Sequence, residues 1–138
     1  ICLGLQLMCK HSEEGNTPCL GIFDEMVLHF DPSLVSEHVK VPHMGWNSIN
    51  MTKQDELFND INDGAYVYFV HSLYPVPAEK QIICTQTDYG KTFTSSVAEK
   101  NIYGTQFHPE KSQESGLALL SNFVHWQPAV FKGIRSRF

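Results

Sequence analysis

No stretch of this chain approaches the roughly 18 consecutive apolar residues that a membrane span requires. Basic residues are scarce as well. Ten Lys and Arg stand against fifteen Asp and Glu, for a net charge of −5. A nucleic-acid footprint needs clustered Lys and Arg, and none is present. Neither a membrane nor a nucleic acid is therefore expected as a partner. The four cysteines (2, 9, 19 and 84) contain no C-x-x-C pair, the spacing typical of zinc sites. His38 and His43 come closest to ligand spacing but have no neighbouring Cys or carboxylate to complete a set, so no metal is expected. Cys2 and Cys9 fall on one predicted helix, where seven residues of rise separate them by roughly 10 Å. That is beyond disulfide reach. Free thiols in a reducing compartment, the cytoplasm, are the better reading. Internal repeats and low-complexity linkers are also missing.

What the chain does have is material for one core. Its 138 residues are 42% hydrophobic and 18% charged, which suits a single globular domain and is too little for two. The apolar spacing of residues 2–14 predicts a helix stopped by Gly15-Asn16. Residues 19–30 read as short strands broken at Asp24-Glu25, and 37–51 as two strands around a Pro and Gly turn. A short helix is expected over 53–60. "AYVYFVHS" (65–72) is the strongest strand signal and reads as buried on both faces. Three more strands are expected over 80–90, 91–101 and 102–108. A last helix from about Ser112 to Trp126 should turn Leu117, Leu120 and Val124 inward. Helices at both ends of many strands imply a layered α/β or α+β domain.

Two segments carry chemistry. "ICLGLQLM" (1–8) puts Cys2 two residues before Gly4, immediately ahead of a helical pattern. This is the second half of G-x-C-x-G, the turn that holds a nucleophile between strand and helix. In that geometry small residues flank the nucleophile because the turn has no room for a Cβ. The helix N-terminus would favour thiolate. The other reading of Cys2 is a small apolar residue packed beside a helix. "FHPEKS" (107–112) supplies a base and its orienting acid. Pro109 biases His108 toward extended chain, where residues two apart share a face, so His108 and Glu110 point the same way. As a solvated turn before a helix, the same segment would do nothing.

Together these segments resemble the class I (triad) glutamine amidotransferases. "SEEGNT" (12–17), "KVPHMGWN" (40–47) and "YFVHSLY" (68–74) narrow the resemblance to the amidotransferase subunits of imidazole glycerol phosphate synthases. It covers residues 1–126 and leaves 127–138 unassigned. The resemblance implies a three-layer, flavodoxin-like α/β domain and a glutaminase without metal or organic cofactor. In it Cys2 attacks the glutamine carboxamide, His108 carries the proton and Glu110 orients His108. The backbone N–H of Leu3 would serve the oxyanion. Gly4, Gln6, Ser72 and Leu73 would hold glutamine, although Gln6 could equally be an exposed helix residue and Ser72 a strand end. His43, Trp46 and Asn47 would lie at or near the contact with a cyclase subunit that receives the ammonia. Trp46 could instead be core.

The family's chain carries sheet strands and a second oxyanion donor ahead of the elbow. By the resemblance this sequence is the C-terminal portion of the domain, with the N-terminal part missing and half an oxyanion hole. Two alternatives stay open: another triad amidotransferase, of the anthranilate or guanylate synthesis type, or a non-catalytic partner-binding fragment.

Overall fold

The computed structural model describes residues 1–34 and 38–127. All but the first residue of the unassigned tail thus lies outside the described residues, as does the start of the segment 37–51. The first helix, α1, spans Leu3–Met8 and stops well short of Glu14. Cys9 is already extended, and the N–H groups of Lys10 and Glu13 donate to the carbonyls of Glu25 and Val27. A strand partner therefore outcompetes continued helix here, since each N–H finds its acceptor across the chain instead of one turn back. Strand β1 (His11–Ser12) runs parallel to β3 (Glu25–His29) and antiparallel to β2 (Thr17–Pro18). Gly15 and Asn16, both at positive φ, make the turn between β1 and β2.

Glu25 does not break a strand but opens one, and it is buried. Strand β4 (His43–Ser48) runs straight through Gly45 rather than turning there, and β5 (Asn50–Met51) follows it. Pro42, after a cis peptide bond, precedes the strand. Only a 3-10 turn, Glu56–Phe58, forms in the segment expected as a short helix. Strand β6 (Tyr66–His71) pairs with β4, and β7 (Leu73–Pro77) pairs with β3. Along β6, Val67, Phe69 and His71 are buried while Tyr66 is exposed, so one face is buried rather than both. The remaining sheet runs β10-β9-β8-β5, from Ile102–Thr105 (β10), Thr92–Glu99 (β9) and Ile83–Asp88 (β8). Among the described residues every strand pairing is antiparallel except β1 with β3.

The final helix, α2, spans Gln113–His125, close to the expected limits, but it presents a different stripe. Gly116 and Leu119 are buried, whereas Leu117 and Val124 are exposed and Leu120 is half-buried. Gly116 decides the phase. A Cβ there would stand 1.8 Å from the Pro109 carbonyl oxygen, so the helix lies directly on the turn that follows His108. An apolar count does not register a glycine used for contact. The main core gathers Phe30, Phe69, Phe93 and Phe107 with Leu57, Val67 and Leu119. Phe69 and Phe93 meet edge to face at 5.7 Å. A smaller cluster of Leu5, Phe23, Ile82 and Val97 seats α1.

Burial pushes the Glu25 carboxyl from its ordinary 4.5 up to about 7, against a hydrogen bond from Cys9. A raised carboxyl makes the folded state hold its proton more tightly than the unfolded state does. Its stabilising effect is complete below pH 4.5 and is lost as pH rises through about 7. The loss is on the order of 3 kcal/mol. Glu25→Gln keeps the shape without the charge. It should melt higher than the parent at pH 8 and show no such gain at pH 4.5. Parallel melting curves at the two pH values would sink this account.

Candidate active site

Cys2 sits between the strand β10 and the helix α1 in a backbone conformation that non-glycine residues rarely adopt, φ 46° and ψ −105°. Two contacts hold it there. Its N–H donates to the Thr105 carbonyl at 2.7 Å, which ties the turn to the end of β10. Gly104, next along β10, lets α1 approach closely, since a Cβ there would come within 2.6 Å of Leu5 Cδ1. Gly4 plays no matching steric part among the described residues, because a Cβ added to it would meet nothing within 4 Å. The crowding expected at Gly4 lies at Gly104 instead.

The sulfur of Cys2 is half-buried and lies 3.8 Å from the Val70 carbonyl of β6. Two carbonyls earlier on that strand, the Tyr68 oxygen accepts the His108 N–H at 2.9 Å. Alternate carbonyls of a strand point to one side, so both catalytic candidates hang on the edge of β6 turned away from β4. The Tyr68 N–H donates to Ser112 Oγ, and that hydroxyl donates to the His108 carbonyl at 2.6 Å. Buried Ser112 thereby locks the His108 turn onto β6. His108 is extended (φ −103°, ψ 96°) and begins a 3-10 turn, Pro109–Lys111. Its Nδ1 lies 2.6 Å from Glu110 Oε1. The other nitrogen, Nε2, is shielded from solvent and has no hydrogen-bond partner among the described residues.

The electrostatics differ from expectation at one point. Burial pushes the Cys2 thiol above its ordinary value, while hydrogen bonds from the Leu3 backbone N–H and from Gln106 pull it back only in part. On balance, desolvation of the half-buried sulfur outweighs these donors. Glu110 behaves in the opposite way. Partial burial raises it, but hydrogen bonds from His108 and its own backbone outweigh that, and the carboxyl is held below the usual range. It is a carboxylate across the neutral range and takes its hydrogen bond from Nδ1–H, which leaves the lone pair on Nε2.

Gln6 is buried, not exposed. Its Nε2 donates to the Leu73 carbonyl at 3.2 Å and to Gln106 Oε1 at 3.1 Å. Gln106, fully buried, turns its own Nε2 to the Cys2 sulfur at 3.4 Å. Sequence reasoning missed Gln106 and Ser112. The two-residue spacing that linked His108 to Glu110 also links Gln106 to His108, and it was the signal available. The Ser72 and Leu73 carbonyls are already engaged, by the Phe30 N–H and by Gln6 and His71. Exposed Leu3 borders a cavity of about 350 Å³ shared with Gln6, Leu7, Ser12, Glu14 and Thr17. A larger hollow of about 480 Å³, lined by Asp60, Asp63 and Glu114, contains none of the triad candidates.

On the β4 side, Trp46 is 45% exposed and meets Tyr68 edge to face at 6.0 Å. Beside it Met44 is 61% exposed. Asn47 is half-buried and donates to the Asp88 carbonyl at 2.9 Å. His43 is buried, stacked between Phe69 and Tyr89, with Nδ1 2.9 Å from His71 Nε2. Its ring therefore lies beneath the face that carries Met44 and Trp46 rather than on it. Among the described residues no group of three or more His, Cys, Asp and Glu side chains could hold a metal ion. No helix among them is long and apolar enough to cross a membrane.

Comparison with known proteins identifies the family. The family model for class-I glutamine amidotransferases matches residues 1–126. The imidazole glycerol phosphate synthase subunit HisH of Bacteroides fragilis is 51% identical over 124 residues, covering 90% of this chain and 61% of that protein. Its counterpart from Aromatoleum aromaticum is 46% identical over 132 residues, covering 93% and 62%. The chain thus spans about three fifths of the length of the curated relatives it matches. A Thermoplasma acidophilum crystal structure described as a GMP synthase subunit a protein shares the fold, with TM-score 0.58 and 18% identity over 74% of this chain and 48% of that one. The family model runs across both the cysteine held at positive φ ahead of α1 and the histidine paired with a glutamate two residues on, and this chain belongs to the class-I glutamine amidotransferases.

Proposed function

We propose that this chain is the glutaminase part of an imidazole glycerol phosphate synthase. It hydrolyses glutamine to glutamate and ammonia, and the ammonia passes to a cyclase subunit in histidine biosynthesis. One observation carries the reading. Cys2 and the His108–Glu110 pair are lodged on the same edge of β6, with His108 Nε2 shielded and unpartnered.

The chemistry follows from those atoms. Nε2 takes the Cys2 proton, and the thiolate attacks the carboxamide carbon. The carbonyl oxygen becomes an oxyanion, for which the Leu3 N–H is the donor beside the sulfur. Collapse breaks the C–N bond, and the imidazolium returns its proton to the leaving nitrogen, releasing ammonia. His108 then takes a proton from water, whose oxygen attacks the thioester. Collapse expels the Cys2 sulfur, which recovers the proton, and frees glutamate. Throughout, Glu110 keeps Nδ1 protonated and steadies the imidazolium. The cavity beside Gln6 and Leu3 suits the amino-acid end of glutamine, with the Glu14 carboxylate as partner for its ammonium. The assay is direct: glutamate and ammonia are measured after the full-length chain and its cyclase partner are given glutamine. No glutamate release above the uncatalysed rate would end this reading.

The partner surface is the outer face of β4, where Met44 and Trp46 are exposed. Asn47 borders it, and His43 supports it from beneath. Large exposed aromatic and Met side chains are characteristic of interfaces. Trp46→Ala should weaken association with the cyclase by about 2 kcal/mol or more, roughly 30-fold in Kd. Calorimetric titration of the two subunits measures this. An unchanged affinity with a lower melting temperature would make Trp46 a packing residue. Four free thiols are consistent with a cytoplasmic location.

A further inference from the structure

The buried polar groups behind Cys2 have a direction, and one backbone carbonyl sets it. A carbonyl can only accept, so whatever meets the Leu73 oxygen must donate. Two groups meet it: Gln6 Nε2 at 3.2 Å and His71 Nδ1 at 2.7 Å. Gln6 therefore presents its amide nitrogen inward, and the same nitrogen donates to Gln106 Oε1 at 3.1 Å. With its oxygen occupied, Gln106 can offer only Nε2 to its other neighbour, the Cys2 sulfur at 3.4 Å. On the other branch His71 is protonated on Nδ1, so its Nε2 accepts from His43 Nδ1. His43 Nε2 in turn accepts from Asn47 Nδ2 at 3.3 Å. Each link fixes the orientation of the next.

We propose that Gln106 is a positioning residue for the attacking sulfur: its side-chain N–H, aimed by Gln6 and the Leu73 carbonyl, holds Cys2 Sγ in place and stabilises it as thiolate. The proposal rests on Cys2 as the nucleophile. The need for such a donor is physical. The sulfur is half-buried, and burial disfavours its charged form. Hydrogen bonds to a charged group are stronger than those to a neutral one, so a fixed N–H favours thiolate over thiol. Gln106 is confined by its fully buried side chain and by its backbone N–H, tied to the Ser95 carbonyl, and Gln6 fixes which way its amide faces.

The test is the pH dependence of Cys2 alkylation by iodoacetamide in the full-length chain. It is read by mass spectrometry on the Cys2 peptide, without glutamine. Only thiolate reacts, so the inflection reports the sulfur itself. Gln106→Met keeps the length of the side chain and removes the donor. Its inflection should rise by about one pH unit, slowing alkylation at pH 7 about tenfold. The kcat/KM for glutamine should fall by a similar factor at pH 7 and recover toward the parent value as pH rises. Gln106→Glu, which puts a carboxylate at the sulfur, should move the inflection further. Gln6→Met, which frees the Gln106 amide to turn, should move it in the same direction and by less. An inflection unchanged in folded Gln106→Met or Gln106→Glu overturns the proposal, even if melting temperature falls, because packing alone would then account for Gln106. Because alkylation needs no glutamine, a parent chain without glutaminase activity would count against the proposed function and leave this result standing.

Discussion

Alanine at Cys2 should reduce glutamine hydrolysis in the full-length chain by a factor of about 10⁶, the loss typical when the nucleophile of a triad is removed. Among the described residues nothing that meets the sulfur can replace it. Gln106 and Leu3 offer only N–H donors, and the remaining thiols are elsewhere. Cys9 and Cys84 are buried, and burial pushes the Cys84 thiol up to about 12. Synthesis driven by external ammonia should survive in the complex, since the cyclase chemistry would belong to the partner. Glutamate release and ammonia-dependent synthesis, measured on the same preparation, separate a lost nucleophile from a lost fold. A variant that still releases glutamate at more than a thousandth of the parent rate would remove Cys2 from the nucleophile's role.

His108→Ala should be almost as damaging, near 10⁶-fold, whereas Glu110→Ala should cost about 10⁴-fold. The difference lies in what each side chain does. In the proposed mechanism His108 carries the proton in every step, and its Nε2 has no hydrogen-bond partner among the described residues. In that mechanism Glu110 only orients the ring, and it is nearly half exposed, so water can partly take over its contact with Nδ1. Steady-state kinetics of the two variants, with circular dichroism to check folding, decide the order. A larger loss from Glu110→Ala would reverse the roles given to the two residues.

Much of this arrangement was legible before any coordinates. Cys2 before a helical pattern, and His108 spaced two from Glu110 beside a proline, are local signals, and local signals survive folding. What was not legible depended on remote partners. The helix ends at Met8 because Lys10 and Glu13 find acceptors on β3, about fifteen residues on in the sequence. The inward stripe of α2 was misjudged because Gly116, without a side chain, makes the closest contact with Pro109. The thiol was expected to be eased toward thiolate by a helix end, yet burial, which no local pattern reports, outweighed that. Gln106 escaped notice because glutamine has no chemistry of its own. It matters only through the sulfur and the second amide it touches.

Gly104 has a consequence for reading sequence variants of this protein. It carries no functional group, so by ordinary criteria a change there would be filed as a remote, conservative event. Yet the space it leaves is occupied by Leu5 of the helix that Cys2 caps, and the neighbouring carbonyl of Thr105 anchors the Cys2 backbone. Even an alanine would press on that helix from below and shift the sulfur relative to the groups on β6, so a substitution at position 104 ranks with changes at Cys2 itself when variants are ordered by harm.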